Sequence, residues 1–63
     1  MEKEFYDLLE EEGKELDYDR VEVTFNPNSI DVMEVDREGY NLYGETYYNV
    51  YDAYDRLVLI GAL

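Results

Sequence analysis

Two hydrophobic periodicities divide the 63-residue chain. Between Glu2 and about Glu12, Phe5, Leu8 and Leu9 stand at i, i+3 and i+4, which predicts a helix with one apolar face. Glu2, Glu4 and Asp7 suit the positive end of its dipole, and Gly13 followed by Lys14 is a C-terminal stop. A continuation past Gly13 would bring Leu16 onto the same face, at a cost of about 1 kcal/mol for an interior glycine. From Arg20 to Phe25 the period changes to two. Val21, Val23 and Phe25 alternate with Glu22 and Thr24, as in a half-buried strand. Asn26-Pro27-Asn28-Ser29 is turn chemistry and ends it.

In Ile30 to Asp36, Met33 and Val35 alternate with Glu34, and Arg37-Glu38-Gly39 leads on to Tyr40 and Leu42. The pattern predicts a hairpin closed by Gly39, with Val35 and Tyr40 near the turn. The following stretch reads two ways. Tyr47, Val50, Tyr51, Tyr54, Leu57 and Val58 follow a helical stripe, with Thr46 as its N-cap. Tyrosine and valine also favour strands, and Asp52-Ala53-Tyr54-Asp55 would equally turn a hairpin between Tyr47–Tyr51 and Arg56–Ile60. The helix is preferred, ending near Arg56 before a short final strand from Leu57 to Ile60. The fold class is therefore α+β, a small antiparallel sheet of three to four strands with an N-terminal helix and, on this preference, a second helix. No repeat or linker interrupts the chain, and residues 1–63 read as one domain.

Composition adds a stability problem. A chain this short buries only about 60% of its unfolded surface, and with no cysteine it has neither disulfides nor thiolate metal sites to help. Seventeen acidic residues against five basic ones leave a net charge of −12, beyond the magnitude of roughly 2 to 8 that solubility needs. Self-repulsion of this size opposes compaction. Yet 46% of residues are hydrophobic and ten are aromatic, unlike a disordered acidic tail. The acidic Met1-Glu2-Lys3-Glu4 start opens no signal peptide, and the apolar run Leu57 to Leu63 is far short of the roughly 20 residues of a membrane span. A soluble, intracellular protein is the expectation. Direct binding to nucleic acid or to an anionic membrane is disfavoured, and a basic protein partner is favoured.

Candidate chemistry is sparse. No histidine is present, no carboxylate pair stands out for acid/base work, Ser29 lies in a turn without a base, and the glycines are isolated. Asp17-Tyr18-Asp19 and Asp52-Ala53-Tyr54-Asp55 supply oxygen ligands, but Val21 and Glu22 occupy the fifth and sixth positions of a calcium loop begun at Asp17, breaking its register. Solvated turns are the better reading. Neither an enzyme nor a cofactor nor a metal site is expected.

The charge carries the remaining signal. Twelve charges equal roughly 20 Å of duplex DNA at one per about 1.7 Å, and a compact chain of this length has a radius of gyration of roughly 11 Å. Carboxylates at i, i+2 on a strand stand roughly 6 to 7 Å apart, and those at i, i+4 on a helix roughly 6 Å, both resembling the distance between neighbouring phosphates. Glu4, Asp7, Glu11 and Glu15 would form such a row opposite the apolar helix face. Glu10, Glu11 and Glu12 crowd the negative end of the helix dipole, where local stability would not choose them. Six of the eight tyrosines fall in Tyr40 to Asp55. Tyr47, Tyr51 and Tyr54 sit at core-edge spacing, whereas Tyr48 lies off the stripe and is the better interface candidate. A charge run is more often a solvated face than a contact, and for any single residue that remains the better reading. The candidate contact set is Glu10, Glu11, Glu12, Glu15, Asp17, Asp19, Tyr48, Asp52 and Asp55.

By its composition, with Glu10-Glu11-Glu12, Asp17-Tyr18-Asp19 and the acidic tyrosine stretch Tyr47 to Asp55, the chain resembles the small phage-encoded DNA mimics: anti-CRISPR proteins, anti-restriction proteins and inhibitors of uracil-DNA glycosylase. The resemblance implies stoichiometric occlusion of a lysine- and arginine-lined nucleic-acid site on a nuclease or related enzyme. Within the class it favours an anti-CRISPR protein that blocks a Cas nuclease where paired arginines read the flanking motif. The alternative is an acidic adaptor or antitoxin that neutralises a basic partner without mimicry. Homodimer formation stays open.

Overall fold

The computed structural model describes all 63 residues as helix α1 (Glu2–Glu12), strands β1 (Val21–Phe25), β2 (Ile30–Val35) and β3 (Asn41–Tyr47), and helix α2 (Val50–Leu59). This is the expected α+β arrangement with both helices present. The strands form an antiparallel meander in the order β1-β2-β3. Val21 faces Glu34 and Phe25 faces Ile30, while Ile30 also faces Tyr47. The central strand is therefore paired along both edges.

Alternation along the strands sends Val21, Val23, Phe25, Ile30 and Val32 to the side that the helices cover. Phe5 and Leu9 of α1 and Val50, Ala53 and Leu57 of α2 complete a single core, with Leu16 and Ala62 at its margin. Phe5 lies edge-on to Phe25 with ring centroids 5.5 Å apart, and Tyr6 lies 5.6 Å from the same ring. Such pairs add about 0.5–1.5 kcal/mol beyond their buried area. They fix the N-terminal half of α1 over the end of β1.

α1 stops at Glu12, not beyond. Gly13 takes φ 65°, and the amide of Lys14 donates to the Leu9 carbonyl at 2.8 Å, a glycine-capped end that turns the chain out of the helix. Leu16 is buried from the following loop. The row Glu4, Asp7, Glu11, Glu15 is accordingly cut to its first three members.

The second half of the chain corrects two expectations. α2 begins after Asn49, whose Oδ1 accepts from the Asp52 amide at 2.9 Å and whose Nδ2 donates to the Asp52 carboxylate at 2.7 Å. Thr46 is not the cap: it belongs to β3 and donates to Asp31 across the sheet at 2.6 Å. Nor does a fourth strand run from Leu57 to Ile60. The helix continues through Leu59 because Leu57 completes its buried face, and Gly61, at φ 75°, ends it as Gly13 ends α1, with the Ala62 amide donating to the Leu57 carbonyl at 2.9 Å. The hairpin between β2 and β3 is as expected, with Gly39 at φ 85° and the Asp36 carboxylate accepting from the Glu38 and Tyr40 amides. A bulge at Leu42 separates the pairs Glu34/Tyr43 and Val35/Asn41. No helix is long and apolar enough to cross a membrane.

Candidate partner-binding surface

No charged side chain is buried, so the whole charge excess lies at the surface. Of the 17 carboxylates, only Glu4, Asp7, Asp17 and Glu34 stand within 4.0 Å of a cationic nitrogen, leaving 13 without one. Among the five basic residues Lys3, Arg20 and Arg56 are held in those pairs, and Lys14 and Arg37 are unpaired. The cations are also unevenly placed. Arg20 and Arg37 line one depression with Glu34 and Asp36, and Arg56 donates to that same Glu34. Three of the five basic residues thus gather where β1 begins and β2 ends, and the rest of the surface is left strongly negative.

The structure splits the residues that the sequence nominates. Glu10 and Glu15 line one cleft together with Tyr6, Leu9, Lys14, Leu16 and Tyr18. Glu11 and Glu12 close α1 with no basic residue in its last turn. Asp17 and Asp19 stand in the loop before β1, where Asp17 accepts from the Asp19 amide at 3.0 Å and pairs with Arg20 at 3.4 Å. Asp17 is therefore the least available of the set. Tyr48 and Asp52 lie beyond the opposite end of the sheet, because Tyr47 pairs with Ile30, which in turn pairs with Phe25 at the far end of β1 from Val21. The five residues of β1, spanning about 13 Å, separate these two ends. Asp55 projects from the exposed side of α2.

Several surface groups were not among those nominated. Tyr51 shares the helical stripe yet is 67% exposed, because α2 centres its buried face on Val50, Ala53 and Leu57 and turns Tyr51 and Val58 outward. Tyr54 stays half-buried; its hydroxyl is held above the usual tyrosine range by burial and then by the carboxylates of Glu12 and Asp55, which places that flank of α2 toward the end of α1. Tyr6 and Tyr18 meet hydroxyl to hydroxyl at 3.2 Å, and this hydrogen bond, with burial, pushes Tyr6 up to about 12. The position of Tyr6 next to Phe5 was the available signal, since a ring adjoining an apolar helix face becomes its rim.

The sheet side away from the helices is uncovered. Glu22, Thr24, Asp31, Met33, Gly44 and Thr46 border a concavity there that no basic residue lines. Asp31 accepts from Thr46 at 2.6 Å and from Asn26 at 3.0 Å, and these bonds hold its carboxyl below the usual aspartate value. Met33 lies across Gly44, whose missing side chain makes room for it: a Cβ there would fall 2.5 Å from the Met33 Cε. On the rim of β3 the Glu45 carboxylate accepts from the hydroxyls of Tyr47 at 2.9 Å and Tyr43 at 3.3 Å. Burial and then that bond push Tyr47 up to about 12. Glu22 was legible as the polar side of an alternating strand, but its grouping with Asp31 and Thr46 required the register. No protein-family model, curated protein or solved structure matches this chain.

Proposed function

We propose that this protein is an acidic DNA mimic, a stoichiometric inhibitor that occupies the nucleic-acid site of a basic bacterial defence or DNA-processing enzyme. An anti-CRISPR protein acting on a Cas nuclease is the specific form proposed. The observation that carries the reading is the shell of 13 carboxylates without a cationic partner on a body of 30 × 24 × 16 Å. A duplex as long as the 30 Å axis carries roughly 18 phosphates. The net charge of −12 is about two thirds of that.

Self-repulsion of this magnitude is a standing cost to a domain with ten buried residues, and a basic channel would relieve it. Long-range attraction steers the encounter. The exposed tyrosines, Tyr48 and Tyr51 among them, then supply area that salt does not screen. Nothing in the mechanism turns over a substrate, so inhibition follows the molar ratio of inhibitor to enzyme.

The test is affinity capture from a bacterial lysate with and without excess duplex DNA. The expected result is a basic nucleic-acid enzyme that duplex displaces and that added salt releases. Substituting Glu10, Glu11 and Glu12 together by lysine should abolish inhibition of that enzyme. A complex that survives excess duplex, or is indifferent to ionic strength, would leave the adaptor or antitoxin reading in its place.

A further inference from the structure

We propose that the outer edge of β3 is a strand-addition site, which takes an extended lysine- or arginine-bearing segment of a protein partner as a fourth strand. The hydrogen-bond alternation identifies the free groups. Asn26 donates to the Ser29 carbonyl and Val35 to the Arg20 carbonyl between β1 and β2, whereas Asp36 donates to the Tyr40 carbonyl on the β3 side. Odd-numbered residues of β2 therefore bond β1, and Ile30, Val32 and Glu34 bond their partners Tyr47, Glu45 and Tyr43. Between those partners, Gly44 and Thr46 direct N–H and C=O away from the sheet.

Edges left in this state recruit strands unless guarded by shortness, proline, charged side chains or bulges, and the one charge on β3, Glu45, repels only acidic segments. β3 is the longest strand, with seven residues against five and six, and has no lysine, arginine or proline. Its one bulge lies toward the hairpin turn and leaves Tyr43 to Tyr47 in regular register. The opposite edge, β1, is shorter and is bounded by Arg20 and Pro27.

Charge selects the occupant. Glu45 sits on this rim between two tyrosine hydroxyls with no cationic nitrogen within 4.0 Å, so a basic side chain directly across from it completes a cross-strand pair. A second copy would instead bring two chains of −12 together. The basic character of the segment agrees with the inhibitor reading above and rests partly on it; the strand geometry does not.

The probe is a nine-residue peptide of alternating arginine and threonine, compared with one of alternating arginine and proline, which carries the same charge but cannot join a ladder. The first should bind and protect the Gly44 and Thr46 amides from hydrogen exchange; the second should do neither. The chain is short enough for chemical synthesis with the Gly44 amide N-methylated, which removes an outward donor without touching the ladder to β2. That change should weaken binding of the arginine–threonine peptide by roughly tenfold or more. Equal binding of the two peptides, absence of binding, or protection at other amides would overturn the proposal. So would protection at Gly44 and Thr46 that rises with protein concentration alone, since the occupant would then be a second copy. No nucleic acid enters the assay, so its outcome is separate from that of duplex competition.

Discussion

Arg56 on α2 and Glu34 on β2, 22 residues apart, meet at 2.9 Å in the one ion pair that joins a helix to the sheet. The same guanidinium lies 5.1 Å from the Tyr43 ring centroid, so it spans β2 and β3 at once. Both side chains are about a quarter exposed, at 25% and 27%. A charge-assisted bond at such a site contributes about 1.5–3 kcal/mol and the ring contact about 0.5–1. Arg56→Ala should therefore cost about 2 kcal/mol after allowing for partial solvent screening. Urea unfolding measures it, and a double-mutant cycle with Glu34→Gln separates the pair from the ring contact.

The start of α2 depends on one asparagine. Asn49 satisfies the Asp52 amide and holds the Asp52 side chain in return, a reciprocal cap. Asn49→Ala should destabilise the chain by about 1 kcal/mol, seen as a lower midpoint and reduced helix content by circular dichroism. Thr46→Ala removes the bond to Asp31 instead and should leave the helix content unchanged. Equal helix loss in the two variants would assign the cap wrongly.

How far the sequence foretells this molecule follows from which forces are local. Phe5, Leu8 and Leu9 and the alternation from Val21 to Phe25 each declare one buried face, and both elements lie where the spacing places them. Gly13 and Gly39 mark their turns because left-handed backbone is a local requirement. The second half is harder to read because Tyr47 and Tyr51 fit either period. The sheet settles it: Tyr47 pairs with Ile30, which leaves only the residues after Asn49 to form the helix. Gly61 ends α2, but the β-branched and leucine run before it suggests a strand when taken alone. For the binding surface, residue type is legible and grouping is not. Glu10 and Glu15 converge on Tyr6 and Tyr18 only because the chain turns at Gly13, and Arg20, Arg37 and Arg56 gather only through the sheet register.

Tyr6 and Tyr47, both pushed up to about 12 from the ordinary 10.0, are protonated more firmly in the folded chain than in the unfolded one. A raised pKa contributes stability that is fully present below 10 and is lost as pH rises from there through about 12. The native protein should show a late tyrosinate absorbance step near 12 that moves to 10 in denaturant. Tyr18→Phe removes the hydroxyl that Tyr6 meets, and should bring part of the late step to lower pH without affecting the part due to Tyr47. Asp31 works in the opposite sense: its lowered value contributes stability above the ordinary 3.8 that is lost as pH falls below it, and Thr46→Ala should reduce that acid sensitivity.

Ionic strength should act on fold and function with opposite signs. The 13 carboxylates without a cationic partner repel one another across distances that salt screens, with a Debye length of about 30 Å at 0.01 M and about 8 Å at 0.15 M. At the first value the screening length equals the longest dimension of the molecule, 30 Å, so every charge feels every other; at the second only neighbours interact. Thermal unfolding should therefore move upward as salt is added from 0.01 to 0.15 M, by roughly 4–8 °C for each kcal/mol of repulsion removed. Over the same range, binding to the captured basic partner should weaken steeply. Reversing Glu10, Glu11 and Glu12 to lysine should flatten both dependences together, because it lowers the repulsion and the attraction at once. A chain whose stability does not rise with salt would mean that its carboxylates stand too far apart to repel, and the charge density on which the DNA-mimic reading depends would then be absent.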